Sequence, residues 1–381
     1  MRPRRLVRSR TQAFQACSTG SNPVGVICGG NPAISPRLPR ASRCKVATFD
    51  AILLTSFGGP EGPEDVLPFL NNVVRGRPVP PDRLKEVARH YAHFGGVSPI
   101  NAQNRALLAA LIAELNAQGP PLAVYWGNRH WHPFLDDTVR EMANDGIRRA
   151  LAFCTSAYGS YPGCRQYRED LDRARMAAGA ASPQIDKLRL FYNHPGFIEA
   201  MVERLDDALA TVPAERLAAA AVVFTAHSLP LTMAASSPYE GQLLEACRLV
   251  SEGAGVPQWH LAYQSRSGPP TQPWLEPDIA QVLKTLAASR GMEHVVVVPI
   301  GFICEHMEVV YDLDVAAASL CKHLGLEMVR ASTVGCHPRF VRMIRELILE
   351  RVDPAAPRRA LGNDGPPADD CAPQCCPASG A

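Results

Sequence analysis

Along this chain apolar residues come in short solid runs, and amphipathic stretches fill the spaces between them. From Phe49 onward FDAILLTSF, LAVYWG, ALAFCTS, LRLFY, AVVFTAH, HLAYQS and HVVVVPIGF each read as a buried strand. Between such runs, stretches such as NAQNRALLAALIAELNAQ repeat their apolar positions at helical spacing. Strand and helix alternate, which predicts an α/β protein built on parallel sheets covered by helices.

The pattern occurs twice. LAVYWGNRHWHPFLDDTVREMANDGIRRALAFCTSAYGS and HLAYQSRSGPPTQPWLEPDIAQVLKTLAASRGMEHVVVVPIGFICEH share strand, Tyr, Arg, proline loop, acidic helix start, helix and strand in one order. FDAILLTSFGGP and AAVVFTAHSLP open the two halves alike. The duplication predicts two similar Rossmann-like domains facing across a cleft, over residues 48–214 and 215–352, divided near TVPAERLAA. Ligands of open parallel sheets bind at the carboxyl ends of the strands, so chemistry is expected in the loops there. A length of 381 residues at 46% hydrophobic content is enough for two cores.

Charge and composition narrow the function. With 39 basic against 37 acidic residues the net charge is +2, which gives no electrostatic footprint for nucleic acid. The strongest apolar run, VVVVPIGFIC at 295–304, is half the roughly 20 residues of a membrane-spanning helix and is broken by Pro299. The expectation is a cytoplasmic protein without a transmembrane segment. Twelve cysteines spread thinly through a core-rich chain read as reduced thiols or metal ligands rather than disulfides. Cys154, Cys247, Cys304, Cys321 and Cys336 read mainly as small hydrophobes. SFGGPEGPEDV has neither G-x-G-x-x-G spacing nor the P-loop lysine, which argues against a nucleotide site. Residues 1–47 are Arg-rich and carry no acid; they read as a transit-like extension or, since QACSTGSNPVG matches a translated tRNA T-loop region, a mis-assigned start. Either reading keeps them out of the fold.

Two stretches carry chemistry. In GFICEHMEVVYDLD at 301–314, a helix beginning near Cys304 would set Glu305, Glu308 and Asp312 along one face, leading away from a strand end. Acids also favour helix starts for electrostatic reasons alone, but the adjoining apolar strand places these at the cleft mouth. In FTAHSLP, His227 stands just past a buried strand, placed to exchange protons near neutral pH. There is no H-E-x-x-H, C-x-x-C or G-x-S-x-G, so permanent zinc and serine hydrolysis lose ground. A histidine with carboxylates instead suits a metal that arrives and leaves.

Taken together, SFGGPEGPEDVLPFL, HYAHFGGVSPIN, FTAHSLP, YQSRSGPPTQPWLEP and PIGFICEHMEVVYDLD resemble the ferrochelatase family over roughly residues 48–350. SFGGPEGPE and SAYGSYPGCRQY resemble its actinobacterial branch, which inserts Fe²⁺ into coproporphyrin III. The resemblance implies the class II chelatase-like fold and a distorted porphyrin bound in the cleft. It implies His227 as proton acceptor and iron ligand with Glu308 as its partner, and Glu305 and Asp312 along an ion or proton path. Substrate contacts are implied at Phe57, Arg75, Tyr91 and Ser98. Phe57 stands where related enzymes have a metal-facing tyrosine and His90 where they have a propionate-binding arginine, so the first offers shape and stacking only. The next haem-pathway enzyme is the implied partner.

The resemblance also gives the tail, residues 353–381, a role. Some members hold a [2Fe–2S] cluster on three C-terminal cysteines and one from the first domain, here Cys371, Cys375, Cys376 and Cys164, with Cys336 in reserve. The other reading is a disordered Pro-rich tail with labile thiols. For the whole chain, the rival readings are a protoporphyrin IX ferrochelatase, a cobalt or nickel chelatase, and a non-catalytic haem or metal carrier.

Overall fold

Runs such as AILLTS and HVVVV have no polar face, so they are stable only as central strands covered on both sides. The computed structural model describes residues 49–76, 79–269 and 271–378, and the extension read at 1–47 lies outside them. In the first half lie β1 (Ala51–Ser56), α1 (Val66–Val73), α2 (Pro81–Ala92), α3 (Ile100–Gln118), β2 (Ala123–Asn128) and α4 (Leu135–Asn144). It continues with β3 (Arg149–Cys154), α5 (Gln166–Ala178), β4 (Gln184–Lys187) and α6 (Pro195–Leu209). The second half has β5 (Ala221–His227), α7 (Leu231–Ala235), α8 (Tyr239–Gly253), β6 (Trp259–Gln264), α9 (Ile279–Ala287) and β7 (His294–Val298). It ends with α10 (Met307–Val310), α11 (Ala318–Leu324), β8 (Glu327–Arg330) and α12 (Pro338–Val352).

Both sheets are parallel, with orders β2-β1-β3-β4 and β6-β5-β7-β8, so the second repeats the first strand for strand. Side chains alternate across each strand. Ile52, Leu54 and Phe153 face a central core shared with Val222, Phe224 and Val298 of the other sheet. Ala51, Leu53 and Ala152 face the opposite way, onto α4 and α5, while Val223, Val295 and Val297 face α9 and α11. Between the sheets stand α3, α6, α8 and α12, through residues such as Leu111, Phe197, Leu243 and Phe340.

The duplication reaches further than the strands. α6 and α12 each begin at a His-Pro pair, where the histidine side chain caps the helix by accepting the backbone N–H two residues on: His194 from Gly196, His337 from Arg339. These two helices pack on each other, and α12 also packs on α3, so the second half ends inside the first. The division read near residue 214 falls in the connection from α6 to β5.

One strand reading needs correction, and one strand was not read. LRLFY is not a strand: β4 is the polar segment QIDK just before it, and Leu188–Tyr192 runs on as buried irregular chain into the central core. The apolar run reported burial rather than pairing. β8, with the sequence EMVR, sits at a sheet edge and carries little apolar signal. No helix among the described residues is long and apolar enough to cross a membrane.

Candidate active site

β5 ends on His227, which leaves the sheet at its carboxyl end. Gly301, in the turn after β7, lies directly on Ala226, where an added Cβ would come within 2.6 Å of the Ala226 Cα. Only glycine permits that approach, and it brings the segment carrying Glu308 beside His227. His227 Nδ1 donates to the Ser228 carbonyl, which leaves Nε2 to face the Glu308 carboxylate, 3.4 Å from Oε1. The two side chains are 29% and 48% exposed, so the pair meets solvent and any ligand above it. Tyr239 supports the histidine from below, donating to its carbonyl at 2.9 Å.

Burial opposes protonation of His227, but Glu308, the Ser228 carbonyl and Asp312 outweigh it and hold its pKa up at about 9. Burial likewise raises Glu308, and His227 and His306 pull it down to about 2. Without substrate the pair is imidazolium and carboxylate. Asp312 differs: burial and the Glu308 charge push its pKa up to about 6 against the opposing hydrogen bond from Ser265, which puts its proton in play near neutrality.

Glu308 and Asp312 stay together, and Glu305 does not join them. The helix starts at Met307 rather than near Cys304, because Cys304–His306 is spent on a turn that His306 closes by accepting the Glu308 N–H at 3.2 Å. Glu305 therefore lies before the helix. Its Oε1 accepts from Thr333 N at 3.1 Å, Thr333 Oγ1 at 3.0 Å and Arg330 at 3.2 Å, while Oε2 is buried without a partner. The line of three acids on one face is thus two acids and an inward-turned ion pair.

Three residues at this site escaped the sequence reading. Burial lowers the pKa of His306. Gln264 donates to the Glu308 carbonyl, and Ser265 donates to Asp312 Oδ2. Ser265 has φ of 61°, a left-handed conformation that costs a non-glycine residue energy. The signal available was their place: YQS repeats the strand end of the first half, where loops carry function.

Opposite this pair, α1 and α2 fold over the strand ends as a small apolar roof. Phe57, Phe69, Tyr91 and Trp131 from the first half pack with Met307 and Tyr311 from the second. Phe57 contacts Phe69 edge-on with ring centroids 6.1 Å apart, and His130 at 4.4 Å. Tyr91 is buried, and burial followed by the Glu308 charge raises its pKa, so its hydroxyl stays protonated. His90 stacks on Tyr311 with centroids 3.8 Å apart, and so ties the two halves together instead of standing at the rim. Arg75 is exposed at the end of α1 and donates to Asn72 at 2.5 Å. Ser98 is buried, packed where Gly59 leaves room for it, and not on an open rim.

Residues 49–352 match the family model described as Ferrochelatase. The chain belongs to the ferrochelatase family. It is therefore a metal-insertion enzyme with iron and a porphyrin as substrates. It is 51% identical over 342 residues to the Coproporphyrin III ferrochelatase of Nocardia farcinica, covering 86% of this chain and 96% of that one. It is 54% identical to the Coproporphyrin III ferrochelatase of Frankia alni, covering 86% of each. It is 51% identical to the Ferrochelatase of Rhodopirellula baltica, covering 86% of this chain and 93% of the relative. Among solved structures, SirB from Bacillus subtilis with Fe3+ is 15% identical, with a TM-score of 0.51 over 83% of this chain and all of that one, a likeness of fold.

This ferrochelatase has a second constellation away from the cleft. Cys164, Cys371, Cys375 and Cys376 line one pocket of about 170 Å³ beside α5 and β4. Cys164 lies in a wide helical turn, Tyr161–Arg165, which Ser160 caps by accepting Gly163 N–H at 3.0 Å. Hydrogen bonds lead the tail to it. Leu361 N donates to the Asn193 carbonyl at 2.8 Å, Arg358 bonds Asp369 at 2.5 Å, and Arg165 donates to the Pro373 carbonyl at 3.0 Å. Arg358 and Arg165 thus brace this polar segment, the first within the tail and the second from the first half. Cys154, Cys247, Cys304 and Cys321 are buried, as small hydrophobes should be, whereas Cys336 is exposed and outside the pocket. Among the described residues, no three His, Cys, Asp or Glu side chains are gathered as a ready metal centre.

Proposed function

We propose that this chain inserts Fe²⁺ into coproporphyrin III in the cytoplasm, giving coproheme and two protons for the later steps of haem synthesis. The similarity of about half of all positions to coproporphyrin III enzymes supports the porphyrin. The observation that carries the chemistry is the His227–Glu308 pair, at the carboxyl end of β5 and under an apolar roof. A porphyrin's flat apolar face suits Phe57, and Arg75 supplies a cation for a propionate. Nε2 of His227, once neutral, accepts the pyrrole protons one after the other, and Glu308 keeps its charge to draw in the cation. Asp312, which exchanges near neutrality, passes protons outward. Tyr91 keeps its hydroxyl as a donor at the site. Ser98 and Glu305 act through position, Ser98 beneath Gly59 and Glu305 bracing the turn before α10.

Two variants and two porphyrins test this. Under anaerobic conditions the protein should consume Fe²⁺ with coproporphyrin III faster than with protoporphyrin IX. His227→Ala and Glu308→Gln should abolish insertion while porphyrin still binds. Porphyrin binding without iron consumption would establish the carrier reading, and near-normal turnover in both variants would overturn the residue roles.

We also infer that the four pocket cysteines hold a [2Fe–2S] cluster. The donor set fits: four thiols in one pocket and no carboxylate required. The adjacent Cys375 and Cys376 bring their sulfurs to 3.4 Å because Cys376 takes a left-handed φ of 51°. Sulfurs this close can both hold one iron of such a cluster. A bound cluster would supply one-electron chemistry and a cross-link from the tail to the first half. Purified anaerobically with ample iron and sulfide, the protein should contain acid-labile sulfide, and Cys164→Ser should lose it; wild-type protein without it refutes the cluster.

A further inference from the structure

β4 ends at Lys187, whose side chain lines the cysteine pocket. Nζ donates to Cys164 Sγ at 3.0 Å, and the thiols of Cys154 and Cys371 are the other groups that favour its charge. Parallel pairing with β3 sets Lys187 opposite Ala152, two residues before Cys154, and Arg351 fixes its carbonyl at 3.3 Å. The pocket wall also carries Arg165, Arg168, Asp172, Asp186, Asp369 and Asp370, yet Lys187 turns to sulfur. A neutral thiol is a weak acceptor, a poor return for desolvating an ammonium group. A ligating thiolate is a strong one.

We infer that Lys187 is a charge-compensating residue of the cysteine site, whose ammonium donates to the Cys164 ligand sulfur and favours the reduced form of the cluster. This rests on the cluster reading. An all-thiolate cluster is anionic and becomes more so on taking up an electron, so a fixed cation at one sulfur stabilises the reduced state more than the oxidised one. The same bond fixes the Cys164 sulfur in place, which slows the loss of that ligand.

The test uses full-length protein carrying its cluster, in wild-type form and as Lys187→Met, Lys187→Gln and Lys187→Arg. Poised at the wild-type midpoint potential, the Met and Gln variants should show a reduced-to-oxidised ratio about tenfold lower by electron paramagnetic resonance, equal to about 59 mV for one electron. Lys187→Arg should stay within about twofold. Cluster bleaching by a ferrous chelator should be several-fold faster in Met and Gln than in Arg or wild type. Iron insertion should be unchanged throughout, which certifies folding. Wild-type midpoint and bleaching rate in both Met and Gln would overturn the role of Lys187 and leave the cluster standing. Absence of any cluster in the wild type would overturn the cluster reading itself, and this inference with it.

Discussion

At His227 and Glu308 each residue sets the other's charge, with opposite effects on the two tasks proposed for them. Glu308 is ready at any physiological pH, since its pKa is pulled down to about 2, while His227 must first lose a proton held at about 9. The base is present only as pH rises. The rate constant kcat/KM for metal insertion should therefore climb through a limb lying above the ordinary histidine value of about 6.5. Removing the carboxylate takes away the largest influence favouring imidazolium. Any residual activity of Glu308→Gln should show the limb moved toward lower pH, and an unmoved limb would mean that another group titrates. Ser265 allows a separate test, because its hydroxyl donates to Asp312. Ser265→Ala should lower kcat about tenfold, about 1.4 kcal/mol, with porphyrin affinity kept.

Elements were legible where their surroundings are uniform. Strands buried on both faces, such as β5 and β7, read correctly from their sequence because no other structure hides VVVV and AVVF so completely. The edge strands β4 and β8 did not, since QIDK and EMVR look like loop until a neighbouring strand supplies their partners. The active-site turn was read as helix because acids are common at helix starts, and the capping role of His306 cannot be separated from that of any polar residue by pattern alone. His227, Glu308 and Asp312 were singled out by motif and place, and the fold brings them together. Ser265 and Gln264 act through the chain's path across space, which no spacing in YQS encodes. The cap has a measurable value: His306→Ala should cost about 1 kcal/mol in urea denaturation, with His306→Asn closer to wild type. Insertion should fall more than stability does, because the cap aims Glu308.

Over the whole molecule, the two halves are not separable weights on a hinge. Phe340 of α12 packs on Phe153, Phe191 and Phe197 of the first half, with ring centroids 6.0, 5.7 and 6.2 Å apart. Phe340→Ala should cost about 3–5 kcal/mol and should lower the midpoint of a single denaturation transition seen alike by probes in either half. Two transitions would mean that the halves melt independently. The tail adds a second tie, since Gly362 lies against Glu245 of α8 while residues farther along reach Arg165 and Cys164.

The pairing of α6 with α12 has a genetic consequence. Every strand of one sheet has its counterpart in the other, and each half ends in a histidine-capped helix laid against its twin, which is the arrangement of two subunits about a twofold axis. A gene split between residues 209 and 221 would produce two polypeptides, each with a large uncovered apolar face, and such faces associate as obligate heterodimers do. Co-expressed, the pieces should co-purify as a one-to-one complex with chelatase activity, His227 coming from one and Phe57, Phe69 and Tyr91 of the roof from the other.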